Sequence, residues 1–175
     1  MITLETERLL LRMFRQDDLD AYAAMCADEE VMRYIGEGKA IDRVAAWRQM
    51  AMMLGQWCLK GHGQFALEER ATGTLLGRAG YFEPEGWPGF ELGWLLRRES
   101  WGKGYATEAT RLLLRHAFEA MGRERVISLI RPANTRSIRV AERLGERLEG
   151  RTEIFGLEAL VYAIDRKTWR AATTV

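Results

Sequence analysis

The spacing of apolar and polar positions changes several times along the chain, and each change marks an element. Arg8 to Phe14 is rich in leucine with charges at intervals and predicts an opening strand. Asp17 or Asp18 can cap a helix running to Ala27, because a carboxylate there accepts backbone N–H bonds. Asp42 can cap a longer helix to Leu59, with Val44, Trp47, Ala51, Leu54 and Cys58 on one face and Gly61 and Gly63 ending it. Gln64–Glu69, Leu75–Phe82 and Phe90–Leu96 are short apolar runs, the first two separated by Ala71-Thr72-Gly73. They read as a hairpin followed by a third strand. The segment Glu83 to Gly89, with two prolines and two glycines, is a connecting loop.

After Leu96 the pattern turns to helix, strand, helix. Thr107–Met121 carries Ala109, Leu112, Leu113, Ala117 and Ala120 on one face, and Gly122 closes it. Val126–Ile130 reads as a buried strand, and Asn134–Leu144 as a helix with Asn134 as cap and Gly145 as stop. Two closing strands follow, at Arg147–Phe155 and Ala159–Asp165. An antiparallel meander joined to one strand-helix-strand crossover predicts an α/β (α+β) fold. Its mixed, mostly antiparallel sheet of six to seven strands carries helices on both faces. No repeat or linker divides the chain, so residues 1–175 read as one domain.

The 175 residues suffice for a core without disulfides or a structural metal. Lys plus Arg is 26 against 25 for Asp plus Glu, which argues against a nucleic acid as main partner. Cys26 and Cys58 stand far apart in apolar surroundings and read as buried reduced thiols. With His62 and His116 alone beside them, a zinc site has too few donors. His116 reads as a structural helix residue and His62 as a turn residue. The opening residues lack the features of a signal peptide, and no apolar stretch is long enough to span a bilayer, so a cytoplasmic, membrane-free protein is expected.

The most informative stretch is Glu91-Leu-Gly-Trp-Leu-Leu-Arg-Arg-Glu-Ser-Trp-Gly-Lys-Gly-Tyr-Ala-Thr-Glu-Ala109, where a strand runs through a glycine loop into a helix. Gly102 and Gly104 let backbone approach a ligand, and the free N–H groups and dipole of the helix start suit a phosphate. Arg97, Arg98 and Lys103 add charge at the same end; a plain glycine turn is the alternative. The motif follows the fourth strand rather than the first, which disfavours a Rossmann site, and no Gly-Lys-Ser/Thr follows the glycines, which excludes a P-loop.

Trp101-Gly-Lys-Gly-Tyr-Ala-Thr-Glu-Ala109 after Glu91-Leu-Gly-Trp-Leu-Leu resembles the acetyl-coenzyme A signature of the GNAT superfamily, and more closely its RimJ/RimL-type branch, which acetylates ribosomal protein N-termini. Leu4-Glu-Thr-Glu-Arg-Leu-Leu-Leu-Arg12 with Asp17-Asp18, and Arg131-Pro-Ala-Asn134-Thr-Arg-Ser137 with Glu142-Arg-Leu-Gly145, resemble other segments of that branch. Trp101 stands where the superfamily signature has a basic residue. The resemblance implies a splay between the fourth and fifth strands that holds the pantetheine arm. It also implies that Gly102, Lys103, Gly104, Tyr105, Ala106 and Thr107 cradle the pyrophosphate, and that Leu95, Leu96 and Arg97 present main-chain groups to the arm. Asn134 would then bond a pantetheine amide and Ser137 approach the sulfur. From spacing alone Asn134 is a helix cap, with Ser137 one turn on along the same face.

Acetyl transfer needs a neutral amine and a proton acceptor. Glu91, on the strand leading into the cleft, is the candidate base, with a cross-strand ion pair as its alternative and Glu153 and Glu158 as weaker candidates. The resemblance implies an acetyl-coenzyme A-dependent N-acetyltransferase, with no metal, acting on a protein or peptide N-terminal amine by direct attack in a ternary complex. The alternatives are a small-molecule amine acceptor and a non-catalytic acyl-coenzyme A sensor. Trp and Met residues between Trp47 and Trp57 are expected in the core or lining the acceptor site. Glu37, Asp42, Glu83 and Glu85 are candidates to attract a cationic acceptor, and both monomer and homodimer stay open.

Overall fold

A computed structural model describes residues 2–173. One eight-stranded sheet runs through the molecule in the order β1-β2-β3-β4-β5-β6-β8-β7. Its strands are β1 Leu4–Glu5, β2 Leu9–Arg12, β3 Gln64–Glu69, β4 Leu75–Phe82, β5 Glu91–Leu96, β6 Arg125–Ile130, β7 Arg147–Ile154 and β8 Leu157–Asp165. The strand beyond the expected six to seven is the two-residue β1, too short to show a period. Every pairing is antiparallel except that of β5 with β6.

Among the described residues six helices accompany the sheet: α1 Leu19–Cys26, α2 Glu29–Met32, α3 Arg43–Lys60, α4 Tyr105–Glu119, α5 Thr135–Leu144 and α6 Arg166–Thr173. Strand alternation divides the core between the two faces. Leu92 and Leu96 of β5 join α4 residues Ala109, Leu113 and Leu114 in one cluster. Leu95 joins Tyr22 and Cys26 of α1 and Met50 and Met53 of α3 in the other. Each such Leu or Met side chain contributes about 1.5–3 kcal/mol on burial. That outweighs the ~1 kcal/mol of a helix cap such as Asp42, whose carboxylate accepts from Ala45 N–H at 2.8 Å.

The same comparison explains where α3 departs from expectation. Its buried stripe is Ala46, Met50, Met53, Gln56 and Trp57, while Val44, Trp47 and Cys58 are exposed. The helix carries two apolar stripes, and the sheet takes the methionine one. Cys26 is buried as expected and Cys58 is not.

Asp18 also differs from its expected role. It makes no side-chain cap on α1; a 3-10 turn at Gln16–Asp18 precedes that helix, and the carboxylate pairs with the buried Arg12 at 2.7 and 2.8 Å. Arg12 Nε also meets Glu68 at 2.7 Å, tying the start of α1 to β2 and β3. No helix among the described residues is long and apolar enough to cross a membrane.

Candidate active site

The site begins where β5 and β6 part. β5 is laddered to β4 along its whole length, yet it meets β6 only at Glu91↔Ile127. There Ile127 N–H donates to the Phe90 carbonyl at 3.0 Å. The next contact is made by a side chain: the Ser128 hydroxyl lies 2.9 Å from the Leu92 carbonyl. Beyond Leu92 the strands splay.

Hydrogen-bond parity decides which main-chain groups face the opening. Arg97 N–H donates to the Leu76 carbonyl at 2.8 Å. Alternation along an antiparallel ladder therefore turns the N–H and C=O of Leu95 toward β4, and those of Trp94 and Leu96 toward the cleft. The expected trio is corrected accordingly: Leu95 and Arg97 have their N–H groups on the β4 side, Leu96 remains, and Trp94 joins it. The Leu96 carbonyl already accepts from the Trp101 indole at 2.9 Å. Arg136 lies 4.5 Å over the same Trp101 ring, so this residue organises the loop in place of a basic side chain.

The loop turns sharply at Gly102 (φ 75°) and Gly104 (φ 84°), conformations that favour glycine. Gly104 sits at the cap position of α4, with no side chain on the helix start. The N–H groups of Tyr105, Ala106 and Thr107 consequently lack intrahelical acceptors and point outward. The Tyr105 ring is turned inward, its hydroxyl on Glu69, so only its backbone is offered to a ligand.

The charges at this end differ from the expected set. Arg97 pairs with Glu99 at 2.9 Å, and Arg98 with Asp28 at 2.9 Å through Nε. Lys103 stays exposed. Arg111 and Arg143 share a shallow concavity with Gly104 and Thr107.

A cavity of 310 Å³ opens on the other side of the splay. It brings together Glu91, Asn134 and Ser137 with residues of α3, β4 and the β7–β8 hairpin. The Glu91 carboxyl receives the Trp87 indole N–H at 2.7 Å. Burial drives its pKa up to about 7, against the lowering effects of Trp87 and Arg78. A Cβ at Gly93 would lie 3.6 Å from Glu91 Oε1, so the missing side chain leaves room beside the carboxyl. Asn134 Oδ1 accepts from Ser137 N–H at 3.2 Å, the expected cap, which leaves its amide N–H₂ for other partners. Glu153 and Glu158 do not line the cavity, nor do Glu37, Asp42, Glu83 and Glu85. Asp42 caps α3, and Glu83 faces the buried His62 at 3.3 Å.

Four residues of this region have no site role in the sequence reading. Arg78 lies on the cavity floor. Arg131 straps the cavity mouth by donating to the carbonyls of Gly36, Ile154 and Leu157 at 2.7, 3.1 and 2.6 Å. Trp87 was read only as part of a loop. Glu146 is buried behind the splay with Oε1 3.1 Å from the Ser128 hydroxyl. No spacing signal marks Arg78, Trp87 or Glu146, although a carboxylate directly after the Gly145 stop is a hint, and Arg131 opens a segment that carries the family resemblance. Among the described residues no group of three or more potential metal ligands occurs.

Comparison with known proteins agrees with this geometry. The model of the acetyltransferase (GNAT) domain family matches residues 8–147. An uncharacterized N-acetyltransferase, p20 of Bacillus licheniformis, is 32% identical over 152 residues, 86% of this chain and 85% of that protein. An acetyltransferase of Agrobacterium tumefaciens has a crystal structure that superposes with a TM-score of 0.84 at 34% identity, covering 94% of each chain. The ribosomal-protein α-N-acetyltransferase RimL, solved with coenzyme A, shares the fold at a TM-score of 0.78 and 15% identity, covering 94% of this chain and 98% of that one.

Proposed function

The chain belongs to the GNAT acetyltransferase family, and from that premise we propose that it passes an acetyl group from acetyl-coenzyme A to a primary amine, a peptide N-terminal amine foremost, by direct attack in a ternary complex. The observation that carries this reading is the convergence of Glu91, Asn134 and Ser137 on one cavity at the mouth of the splay. Bound acetyl-coenzyme A supplies an activated acetyl thioester. The N–H groups of residues 102–107 suit its pyrophosphate, and those of Trp94 and Leu96 suit its peptide-like arm. One of the latter two also suits the thioester oxygen as charge develops there.

Glu91 takes the ammonium proton, directly or through a water, and releases it to solvent. A carboxyl poised near neutrality does this better than an ordinary one, which would be too weak a base. The Ser137 hydroxyl is half-buried and without a hydrogen-bond partner among the described residues, which supports a role in meeting the departing sulfur. Because a thiolate needs little help near neutral pH, Ser137→Ala should lower kcat by less than about tenfold, with no change in the shape of the pH profile. Steady-state kinetics at several pH values checks this.

The modest size of the cavity, 310 Å³, supports a second acceptor class, a small free amine. Release of free thiol from acetyl-coenzyme A, measured against peptides and against small amines, separates the two. The cofactor assignment has its own check. Acetyl-coenzyme A at 100 times its Kd should stabilise the protein by about 2.7 kcal/mol, visible as a raised Tm. No thermal shift and no calorimetric signal at millimolar ligand would remove it.

A further inference from the structure

The charged side chains lining the acceptor cavity are Arg78, Arg131 and Glu91, two cations against one carboxyl. Arg131 is spent on backbone carbonyls. Arg78 is not. Its Nη1 donates to Gln64 Oε1 at 2.9 Å, its Nε is buried with no partner, and it pairs with no carboxylate among the described residues. The side chain rises from β4 opposite Leu95, on the face that also carries Gly93 and Glu91.

A half-buried guanidinium with no carboxylate in ion-pair contact is costly to the fold. It also opposes the entry of an ammonium ion, the form in which an amine acceptor arrives. Glu91 offsets it only in part, since burial holds that carboxyl near half-protonation at neutral pH. Both difficulties disappear if the acceptor brings an anion of its own.

We infer that the acceptor carries a carboxylate beside its amine, and that Arg78 binds the carboxylate while the amine faces Glu91. The inference rests on the amine-acetyltransferase reading and narrows it. Polyamines and cationic antibiotics fit this cavity badly. Free amino acids and peptides with an acidic residue next to the N-terminus fit it well, and the two sources share one recognition chemistry. Gln64 and the φ-permissive Gly80 beside it keep Arg78 in place: Gln64 Nε2 donates to the Gly80 carbonyl at 2.9 Å while its Oε1 receives Arg78.

The test uses matched pairs of acceptors with the full-length protein: free amino acids against their α-amides, and tetrapeptides with Glu against Gln at the second position. One member of each pair is charged and the other is its neutral isostere. In the pair that represents the true source, the charged member should be favoured about 10- to 100-fold in kcat/KM, mostly through KM. Arg78→Gln should erase that preference, and Arg78→Lys should keep most of it, a rescue that damage to folding would not show.

The same pairs are titrated against the coenzyme A-saturated protein, following the fluorescence of Trp87 and Trp94 at the cavity. If no amine is acetylated at all, the proposed function fails. Tighter binding of the charged members would still sustain the Arg78 assignment. Equal transfer and equal binding of charged and neutral members, or a preference for spermidine over both, overturns it.

Discussion

Glu91→Gln should lower kcat/KM by about 10²–10⁴-fold at pH 7, the usual loss when a general base is removed, while the Kd for acetyl-coenzyme A stays nearly as it was. The charge of Glu91 is what changes, since Gln can still receive the Trp87 indole N–H at the carbonyl of its amide. The pH dependence carries the diagnosis. Burial raises the Glu91 carboxyl to about 7, so the wild-type rate should climb as pH rises through that value and the base form accumulates. The variant should lack this rise and keep only the one set by the acceptor amine, about 7.7–8.0 for a peptide N-terminus. Its defect should therefore shrink toward pH 9, where the amine arrives neutral unaided. A loss of turnover of the same size at every pH would make Glu91 a structural residue whose contact with Trp87 shapes the cavity. Stopped-time thiol release between pH 6 and 9 distinguishes the outcomes.

Chemistry carried by local sequence was legible, and chemistry assembled across the sheet was not. Gly102 and Gly104 announce a left-handed turn before a helix because few other residues adopt it, and the structure has both at positive φ. Asn134 and Gly145 bracket α5 as cap and stop for equally local reasons. Glu91 stands out as a candidate because it leads the strand into that loop, and the structure has it lining the cavity.

Arg97 and Arg98 show the limit. Their charge was evident, but not that Glu99 and the distant Asp28 would neutralise them. Arg78 sits in a run that reads as an apolar strand, and nothing in its neighbours marks it as a cavity floor. The α3 face failed for a related reason: two stripes of similar hydrophobicity compete, and only the docked sheet chooses. Even at the splay, the parity of the β4–β5 ladder decides between Leu95 and Trp94, and no sequence rule supplies that parity.

Glu146→Gln should stabilise the protein, by an amount that grows with pH. The Ser128 hydroxyl has one proton and two neighbours that want it, the Leu92 carbonyl at 2.9 Å and Glu146 Oε1 at 3.1 Å. A carbonyl can only accept. The arrangement satisfies all three groups when Glu146 is protonated, giving its own proton to Ser128 so that Ser128 can hold Leu92, the last contact before the strands part. Burial, strengthened by the charge of Glu91, raises the Glu146 carboxyl to about 8, and its Oε2 has no partner that an ionised carboxylate would need. A carboxyl whose folded pKa is raised binds its proton more tightly in the fold than in the open chain. Its contribution is complete below the ordinary carboxylate range and is lost as pH climbs to about 8, at about 1.4 kcal/mol per pH unit. Glutamine keeps a donor for Ser128 and has no proton to lose. Wild type and variant should therefore differ little in stability at pH 4.5, and the variant should lead by several kcal/mol at pH 8. Urea denaturation of both proteins across that range reads the difference, in which titrating groups other than the coupled Glu91 cancel. A variant that is less stable by the same amount at all pH values would show that Glu146 is ionised in the fold. Ser128 would then point at the carboxylate, leaving Leu92 unheld at the apex of the cleft.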